Sequence, residues 1–186
     1  VRQTNDLSRI VDEFSRFARM PEPDKKSEDI IQIINSAISL QENGLPEIAF
    51  KKNIVDGPIM FEVDATMISQ ALINLLKNAG ESIASRMSKA ESPNVLGQIQ
   101  VIANLSGNFL KVSIVDNGLG LPEDRARLFE PYVTTRENGT GLGLAIVKKI
   151  IEEHGGTFRL EDAPQYQNSG IVGAAAIIEL PIYSMK

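Results

Sequence analysis

Three polar or glycine-rich segments follow one another along the chain, and each suits a different part of a nucleotide. They read Asn-Leu-Leu-Lys-Asn-Ala at 74–79, Asp-Asn-Gly-Leu-Gly at 116–120 and Gly-Thr-Gly-Leu-Gly-Leu at 139–144. Amide oxygens can ligate a hard cation such as Mg²⁺, and a carboxylate can accept a hydrogen bond from an adenine amino group. Glycines allow backbone N–H groups to approach phosphates closely. The three segments together indicate a nucleotide site.

The first segment carries two asparagines on a stretch with a helical apolar pattern. Asn74 and Asn78 are four residues apart, so they share one face of a helix. Their amide oxygens can ligate Mg²⁺, with phosphates and waters completing the octahedron. Lys77 and Glu81 flank the pair, and Glu81 could polarise an incoming nucleophile. The alternatives are solvated or capping asparagines and an ordinary carboxylate on a helix surface.

The second segment begins where an apolar strand gives way to a loop. Asp116 follows the strand pattern of 112–115, at a position where its carboxylate can accept from adenine N6. Gly118 and Gly120 keep the floor of such a pocket open. The alternative is that Asp-Asn-Gly forms a simple turn, which these residue types favour.

The third segment runs directly into a predicted helix. Backbone N–H groups at 139–143, together with the helix dipole, make an anion site. The segment lacks the Lys-Ser/Thr ending of a P-loop and does not follow a Rossmann strand. The polar stretch before it contains side chains that could reach phosphates or simply be solvated, namely Arg125, Arg127, Thr134, Thr135 and Arg136.

Composition excludes several other classes of function. The sequence has 186 residues, a net charge of −5 and 5% aromatic residues, which argues against general nucleic-acid binding. The absence of cysteine excludes disulfides, thiolate catalysis and Cys-ligated zinc. No apolar run approaches the roughly 20 residues of a membrane span. Because the chain opens with Val1 and not Met, we expect a piece cut from a longer protein.

The apolar periodicity predicts alternating helices and strands. Helices are expected at 4–20, 30–40, 64–87 and 141–154. Strands are expected at 48–55, 59–63, 98–103, 110–116, 157–161 and 173–180, with 98–116 forming a β-hairpin. Asp64 is the expected N-cap of the long helix, and residues 117–140 are an expected lid. This order predicts an α+β fold, a two-layer α/β sandwich with the helices on one face.

In combination, the motifs resemble those of the GHKL ATPases, specifically of sensor histidine kinases. The segment 74–79 resembles the N box and 116–120 the G1 box, while 128–132 (Leu-Phe-Glu-Pro-Tyr) is similar to the F box. The segment 134–147 resembles the G2 region. The resemblance covers residues 28–182. Residues 12–21 resemble the second dimerisation helix of nitrogen-regulatory sensor kinases, most closely the NtrY type.

This resemblance implies a Bergerat fold with a mixed, mainly antiparallel sheet, preceded by one helix of a dimerisation hairpin. Residues 1–22 would be a remnant of the dimerisation and phosphotransfer domain, 23–27 a linker, and 28–186 the catalytic ATP-binding domain. Asp116 would read adenine, Asn78 with Asn74 would bind Mg²⁺, and Glu81 would be the catalytic acidic group. The implied contacts to ATP come from Asn74, Lys77, Asn78, Asp116, Gly118, Gly120, Tyr132, Thr134, Thr135, Arg136, Gly139, Thr140, Gly141, Leu142 and Gly143.

The resemblance also implies a function and a setting. The domain would bind Mg·ATP and donate the γ-phosphoryl group to a histidine on the first dimerisation helix, for relay to a response-regulator aspartate. The parent would be a homodimeric inner-membrane sensor, with this domain in the cytoplasm and no nucleic-acid partner. The one histidine, His154, is expected to cap a helix C-terminus and complement its dipole. The chain alone is therefore not expected to autophosphorylate.

Two alternatives remain open, and one departure from the family pattern bears on them. The first alternative is a GHKL ATPase or serine kinase of the gyrase, chaperone or anti-sigma type. Gyrase-like and chaperone-like members usually carry Glu where this chain has Asn74. The second is a non-catalytic nucleotide-binding scaffold. The family usually has threonines near the adenine where this chain has 174–176, Ala-Ala-Ala, so a hydroxyl contact there is in doubt.

Overall fold

A computed structural model describes residues 20–89, 95–125, 127–131, 140–163 and 170–182. The helix expected at 4–20 lies outside these ranges, apart from its last residue. So do five of the predicted contact positions, Tyr132, Thr134, Thr135, Arg136 and Gly139. Across the ranges given, no helix is both long and apolar enough to cross a membrane.

The described residues form three helices and seven strands. The helices are α1 (Ile30–Gly44), α2 (Ala65–Met87) and α3 (Gly143–Glu153). The strands are β1 (Lys26–Asp29), β2 (Ile48–Ile54), β3 (Met60–Val63), β4 (Gly97–Ser106), β5 (Phe109–Asp116), β6 (Thr157–Asp162) and β7 (Ala174–Pro181). Every element predicted within these ranges is present, with its ends displaced by at most four residues.

Five strands form one mixed sheet in the order β2-β4-β5-β7-β6. The pair β2–β4 is parallel, and the pairs β4–β5, β5–β7 and β6–β7 are antiparallel. Alternate residues of β4, such as Ile99 and Val101, are buried in the main core with apolar residues of the helices. The two-layer α+β sandwich and the hairpin at 98–116 are thereby confirmed.

Two strand relationships were not predicted from the sequence. A strand, β1, occupies 26–29, so its first two residues fall in the segment 23–27 that was expected to be linker. It pairs antiparallel with β3. The consecutive strands β2 and β3 belong to different sheets, because β2 joins β4. The sequence Lys-Ser-Glu-Asp of β1 has no apolar alternation, and its partner lies more than 30 residues away, so no local pattern could reveal it.

The helix α2 packs against both of the other helices and against the sheet. Asp64 caps it as predicted, its side chain accepting a hydrogen bond from Met67 N–H at 3.0 Å. The apolar face of α2 is buried against α1, α3 and the sheet strands β4 and β5. Burial of this face leaves Asn74 and Asn78 half-buried at its margin.

His154 joins the end of α3 to the start of α2. The ring is buried; Nδ1 lies 2.7 Å from Ile150 O, and Nε2 lies 3.0 Å from Asp64 N. Since a backbone N–H can only donate, Nε2 accepts and Nδ1–H donates, which describes the neutral imidazole. Burial lowers the pKa of His154. The expected helix cap is confirmed, because the neutral ring donates Nδ1–H to Ile150 O in the last turn of α3.

The segment before β1 contacts the same junction. The backbone N–H of Asp24 donates to Asp64 Oδ2 at 3.1 Å, and Lys25 Nζ donates to Glu153 O at 2.8 Å. The chain therefore enters the domain where α2 begins and α3 ends.

Candidate functional site

The predicted metal-binding side chains lie on the margin of α2. Asn74 and Asn78 are both half-buried, one turn apart on the same helix face. Lys77 Nζ and Glu81 Oε1 are 3.9 Å apart, and Lys77 is the more exposed of this pair. The structure thus places Asn74 and Asn78 on one face of α2, with Lys77 and Glu81 beside them.

Asp116 occupies the last position of β5. It is 6% exposed and lies in register between Ile99 of β4 and Ala174 of β7. By strand alternation it shares the helix-facing side with Ile114, a residue of the main core. Its Oδ1 accepts a hydrogen bond from Gly118 N–H at 2.8 Å. A carboxylate is therefore held under the helix layer at the end of a central strand.

The loop after Asp116 is held on both sides. The Asn117 side chain is 2% exposed; it donates to Leu96 O and accepts from Gln98 N–H, both at 2.8 Å. On the other side, Ser82 Oγ accepts from Leu119 N–H at 3.0 Å. These contacts fix the first glycine loop between β4 and α2.

Two glycines of this loop are required by close approach. A Cβ added at Gly118 would lie 2.2 Å from Ser82 Oγ and 2.7 Å from the Ser82 carbonyl carbon. Gly120 has φ 78°, and a Cβ there would lie 2.5 Å from Val172 Cγ1. At these two glycines, which the sequence predicts to form the floor of the pocket, the backbone packs directly against the side chains of Ser82 and Val172.

The second glycine loop leads into α3 beside Asn78. Gly141 adopts φ 69°, and Leu142 at the N-cap supplies no side-chain hydrogen bond to the helix. A Cβ built on Gly143 would lie 3.9 Å from Asn78 Nδ2. The first N–H groups of α3 therefore lie near the amide of Asn78, as an anion with a bound cation would require.

Several residues of the predicted site make contacts within the domain. The Leu142 side chain is fully buried in the core, so only its backbone can face a ligand. Thr140 Oγ1 lies 3.5 Å from Leu142 N, within its own loop. Arg125 is paired with Asp162 at 2.8 Å, and Arg127 with Glu130 at 3.1 Å. Either arginine would have to leave a carboxylate to reach a phosphate.

The F-box stretch is anchored by an aromatic contact that the sequence did not indicate. The rings of Phe129 and Phe158 meet edge to face with centroids 5.4 Å apart, and Lys148 Nζ lies 5.6 Å from the Phe129 centroid. The sequence reading also missed Ser82, whose only signal is its place one turn after Asn78.

The side chains of the candidate site fit a cation that is bound mainly by the oxygens of a bound phosphate ligand. Within the described ranges, no group of three or more His, Asp or Glu side chains could hold a metal. The two neutral amides of Asn74 and Asn78 fit Mg²⁺ that brings phosphate oxygens with it. A shallow cavity of about 460 Å³ lies elsewhere, along α1, and none of its lining residues belongs to the predicted nucleotide site.

Comparison with known proteins gives one family match and many relatives. Residues 63–184 match the family model described as histidine kinase-, DNA gyrase B- and HSP90-like ATPase. The chain is 51% identical over 175 residues to the nitrogen regulation protein NtrY of Azorhizobium caulinodans, covering 92% of this chain and 22% of that protein. It spans about a fifth to a third of the length of the curated relatives that it matches.

Solved structures show the same fold. Full-length ShkA in complex with AMPPNP superposes with a TM-score of 0.75 at 26% identity, over 99% of this chain and 38% of ShkA. Histidine kinase ThkA in complex with response regulator protein TrrA superposes with a TM-score of 0.73 at 28% identity, over 97% of this chain and 49% of ThkA.

Proposed function

The chain belongs to the family of histidine kinase-, DNA gyrase B- and HSP90-like ATPases, and we propose that it is the ATP-binding catalytic domain of a two-component sensor histidine kinase. One observation carries the proposal. The helix α2 places Asn78 beside the N-terminus of α3 and, one turn later, places Ser82 against the loop that follows Asp116. Adenine and phosphates can thus be bound at two ends of one short stretch of helix.

Each residue has a role suited to its environment. Asp116, buried at the strand end, accepts from adenine N6. The backbone N–H groups at 139–143 bind the phosphates, together with the dipole at the α3 N-terminus. Asn78, with Asn74, holds Mg²⁺, which when bound neutralises phosphate charge. Glu81 remains our proposed acidic group near the transferred phosphate. Positioning and charge stabilisation supply most of the catalysis in phosphoryl transfer.

The acceptor of the phosphoryl group is a histidine of another segment. His154 is the single histidine of this sequence. It is buried, with Nε2 and Nδ1 both engaged by backbone groups. It therefore has no nitrogen available for attack while the domain is folded. This supports transfer to a histidine on a dimerisation helix, as in the sensor kinases to which the chain is similar.

The setting follows by analogy with these relatives. We propose a cytoplasmic domain of a membrane-anchored homodimeric sensor, with residues 1–22 from the dimerisation domain and 28–186 forming the catalytic domain. The ThkA–TrrA complex supports a response regulator as partner, and the NtrY relative supports nitrogen regulation. The net charge of −5 argues against a nucleic-acid partner.

Calorimetric titration with a non-hydrolysable ATP analogue and Mg²⁺ tests nucleotide binding. Asp116→Asn keeps the shape of the side chain but removes its charge and one acceptor, so we expect binding to weaken about tenfold or more. Asp56→Asn, at an exposed bend, is the matched control and should bind like the wild type. Absence of binding by the wild type would favour the scaffold alternative.

Phosphoryl transfer is tested by adding a dimerisation domain that carries its phosphoacceptor histidine. We expect acid-labile phosphate on that domain and none on the chain incubated alone with ATP. Steady hydrolysis of ATP by the chain alone, without transfer, would favour the alternative of a gyrase- or chaperone-like ATPase.

A further inference from the structure

A side chain of α2, Ser82, makes a hydrogen bond with the loop after Asp116. It is half-buried, and its Oγ accepts from Leu119 N–H at 3.0 Å. It lies four residues after Asn78, so about 6 Å of helix separates the two positions. Ser82 thus lies toward the adenine end of the proposed site, whereas Asn78 lies toward the phosphate end.

The loop rests on Ser82 without intervening space. An added Cβ at Gly118 would come within 2.2 Å of Ser82 Oγ and 2.7 Å of Ser82 Cβ. The loop backbone and the side chain of Ser82 are therefore in direct contact. A side chain without a hydroxyl would leave Leu119 N–H without this acceptor.

The position of Asp116 depends on that loop. Its Oδ1 accepts from Gly118 N–H, the residue that packs on Ser82. The Asn117 side chain holds the opposite side of the loop through Leu96 O and Gln98 N–H. Asn117 is bound to the β4 side and Leu119 to Ser82, so Gly118 between them is held in place, and its N–H donates to Asp116 Oδ1.

We propose that Ser82 is a positioning residue for adenine recognition: its hydroxyl ties Leu119 to α2 and so orients the Asp116 carboxylate toward the base. Ser82 acts through the loop and does not itself need to touch the nucleotide. This inference rests on the proposed function, since it assumes that Asp116 reads the adenine amino group.

The test compares two nucleotides and three variants of the chain. The nucleotides are non-hydrolysable ATP and the corresponding inosine triphosphate analogue, which carries a carbonyl in place of the N6 amino group. The variants are Ser82→Ala, Ser82→Thr, which keeps a hydroxyl, and Ser85→Ala, an exposed serine on the same helix. Binding is measured by calorimetry in Mg²⁺, after thermal melting has established that each variant is folded.

Ser82→Ala is expected to weaken binding of the ATP analogue by about two- to tenfold, the effect of losing one neutral hydrogen bond. Binding of the inosine analogue should be unchanged, because it lacks the group that Asp116 reads. Ser82→Thr should retain the preference for adenine, and Ser85→Ala should behave like the wild type. The Leu119 amide should also exchange faster with solvent in Ser82→Ala than in the wild type.

The outcomes separate this inference from the proposed function. If the wild type prefers adenine and Ser82→Ala keeps the same preference, the role of Ser82 is wrong and the proposed function stands. An equal loss for both nucleotides would show a general structural role and would also overturn the inference. If the wild type binds neither nucleotide, or binds both equally, adenine reading by Asp116 fails and the inference fails with it.

Discussion

Removing the imidazole of His154 should destabilise the domain by an amount that depends on its hydrogen bonds. Its Nε2 is the acceptor for Asp64 N–H, a group at the N-cap of α2. Leaving that donor without an acceptor costs about 1–3 kcal/mol. His154→Ala also leaves a void where the buried ring lay, so the free energy of unfolding should fall by about 2–4 kcal/mol in total. His154→Gln keeps an amide oxygen that can accept, and we expect a smaller loss.

The same bond makes the stability depend on pH. Burial is the main cause that lowers the pKa of His154; Lys25 adds to the lowering, whereas the hydrogen bond to Ile150 O, Asp64 and Glu153 raise it. The native state therefore binds a proton less readily than the unfolded chain, whose histidine has a pKa of about 6.5. The contribution of neutral His154 is complete above about pH 6.5 and is lost as the pH falls toward the lowered native value. One proton limits the slope to about 1.4 kcal/mol per pH unit.

Urea denaturation at pH 7.5, 6.5 and 5.5 measures both effects. The difference in unfolding free energy between the wild type and His154→Gln should shrink as the pH falls, because only the wild type must bury a titrating imidazole. Lys51→Ala, at an exposed position of β2, serves as a control and should retain the pH dependence. Parallel curves for the wild type and His154→Gln would refute the neutral, buried state of His154.

Two further perturbations probe the nucleotide site. Gly118→Ala places a Cβ 2.2 Å from Ser82 Oγ and should lower the free energy of unfolding by about 1–3 kcal/mol, as well as lowering nucleotide affinity. In the control, Gly44→Ala, the added Cβ meets nothing within 4 Å, so nucleotide affinity should be unchanged. Denaturation measures the stability of the two variants and calorimetry measures their nucleotide affinity. Asn78→Ala should weaken binding of the ATP analogue about tenfold in Mg²⁺ and have little effect in EDTA; equal losses in both buffers would contradict metal binding by Asn78.

The parts of the fold that follow local rules could be predicted from the sequence. Asp64 caps a helix that ends at Met87, as its residue type and the apolar repeat indicate. The hairpin of β4 and β5 follows from two apolar strands around a turn at Gly107, which adopts φ 59°. The placement of Asp116 at a strand end followed from the same pattern. Each of these depends on residues close together in sequence.

The parts that depend on distant residues could not be predicted in this way. The pairing of β1 with β3 and of β2 with β4 joins strands about 34 and 49 residues apart, and no local pattern specifies which strand pairs with which. The neutral state of His154 depends on Asp64, 90 residues away. Likewise, the contact between Ser82 and Leu119 spans 37 residues and involves one hydroxyl.

The geometry of α2 explains why so much of the candidate site was nevertheless evident from one segment. Asn74, Asn78 and Ser82 follow one another at intervals of four residues, so helix geometry alone sets their spacing at about 6 Å per step. The two glycine loops come from distant parts of the chain, but both are positioned against this helix, one at Asn78 and the other at Ser82. The distance between the two loops is therefore set by the helix and not by the loops themselves. A sequence that predicts the helix therefore predicts the spacing within the proposed site. The role that we propose for the Ser82 hydroxyl at the adenine end is evident only from the structure, where the loop contacts it.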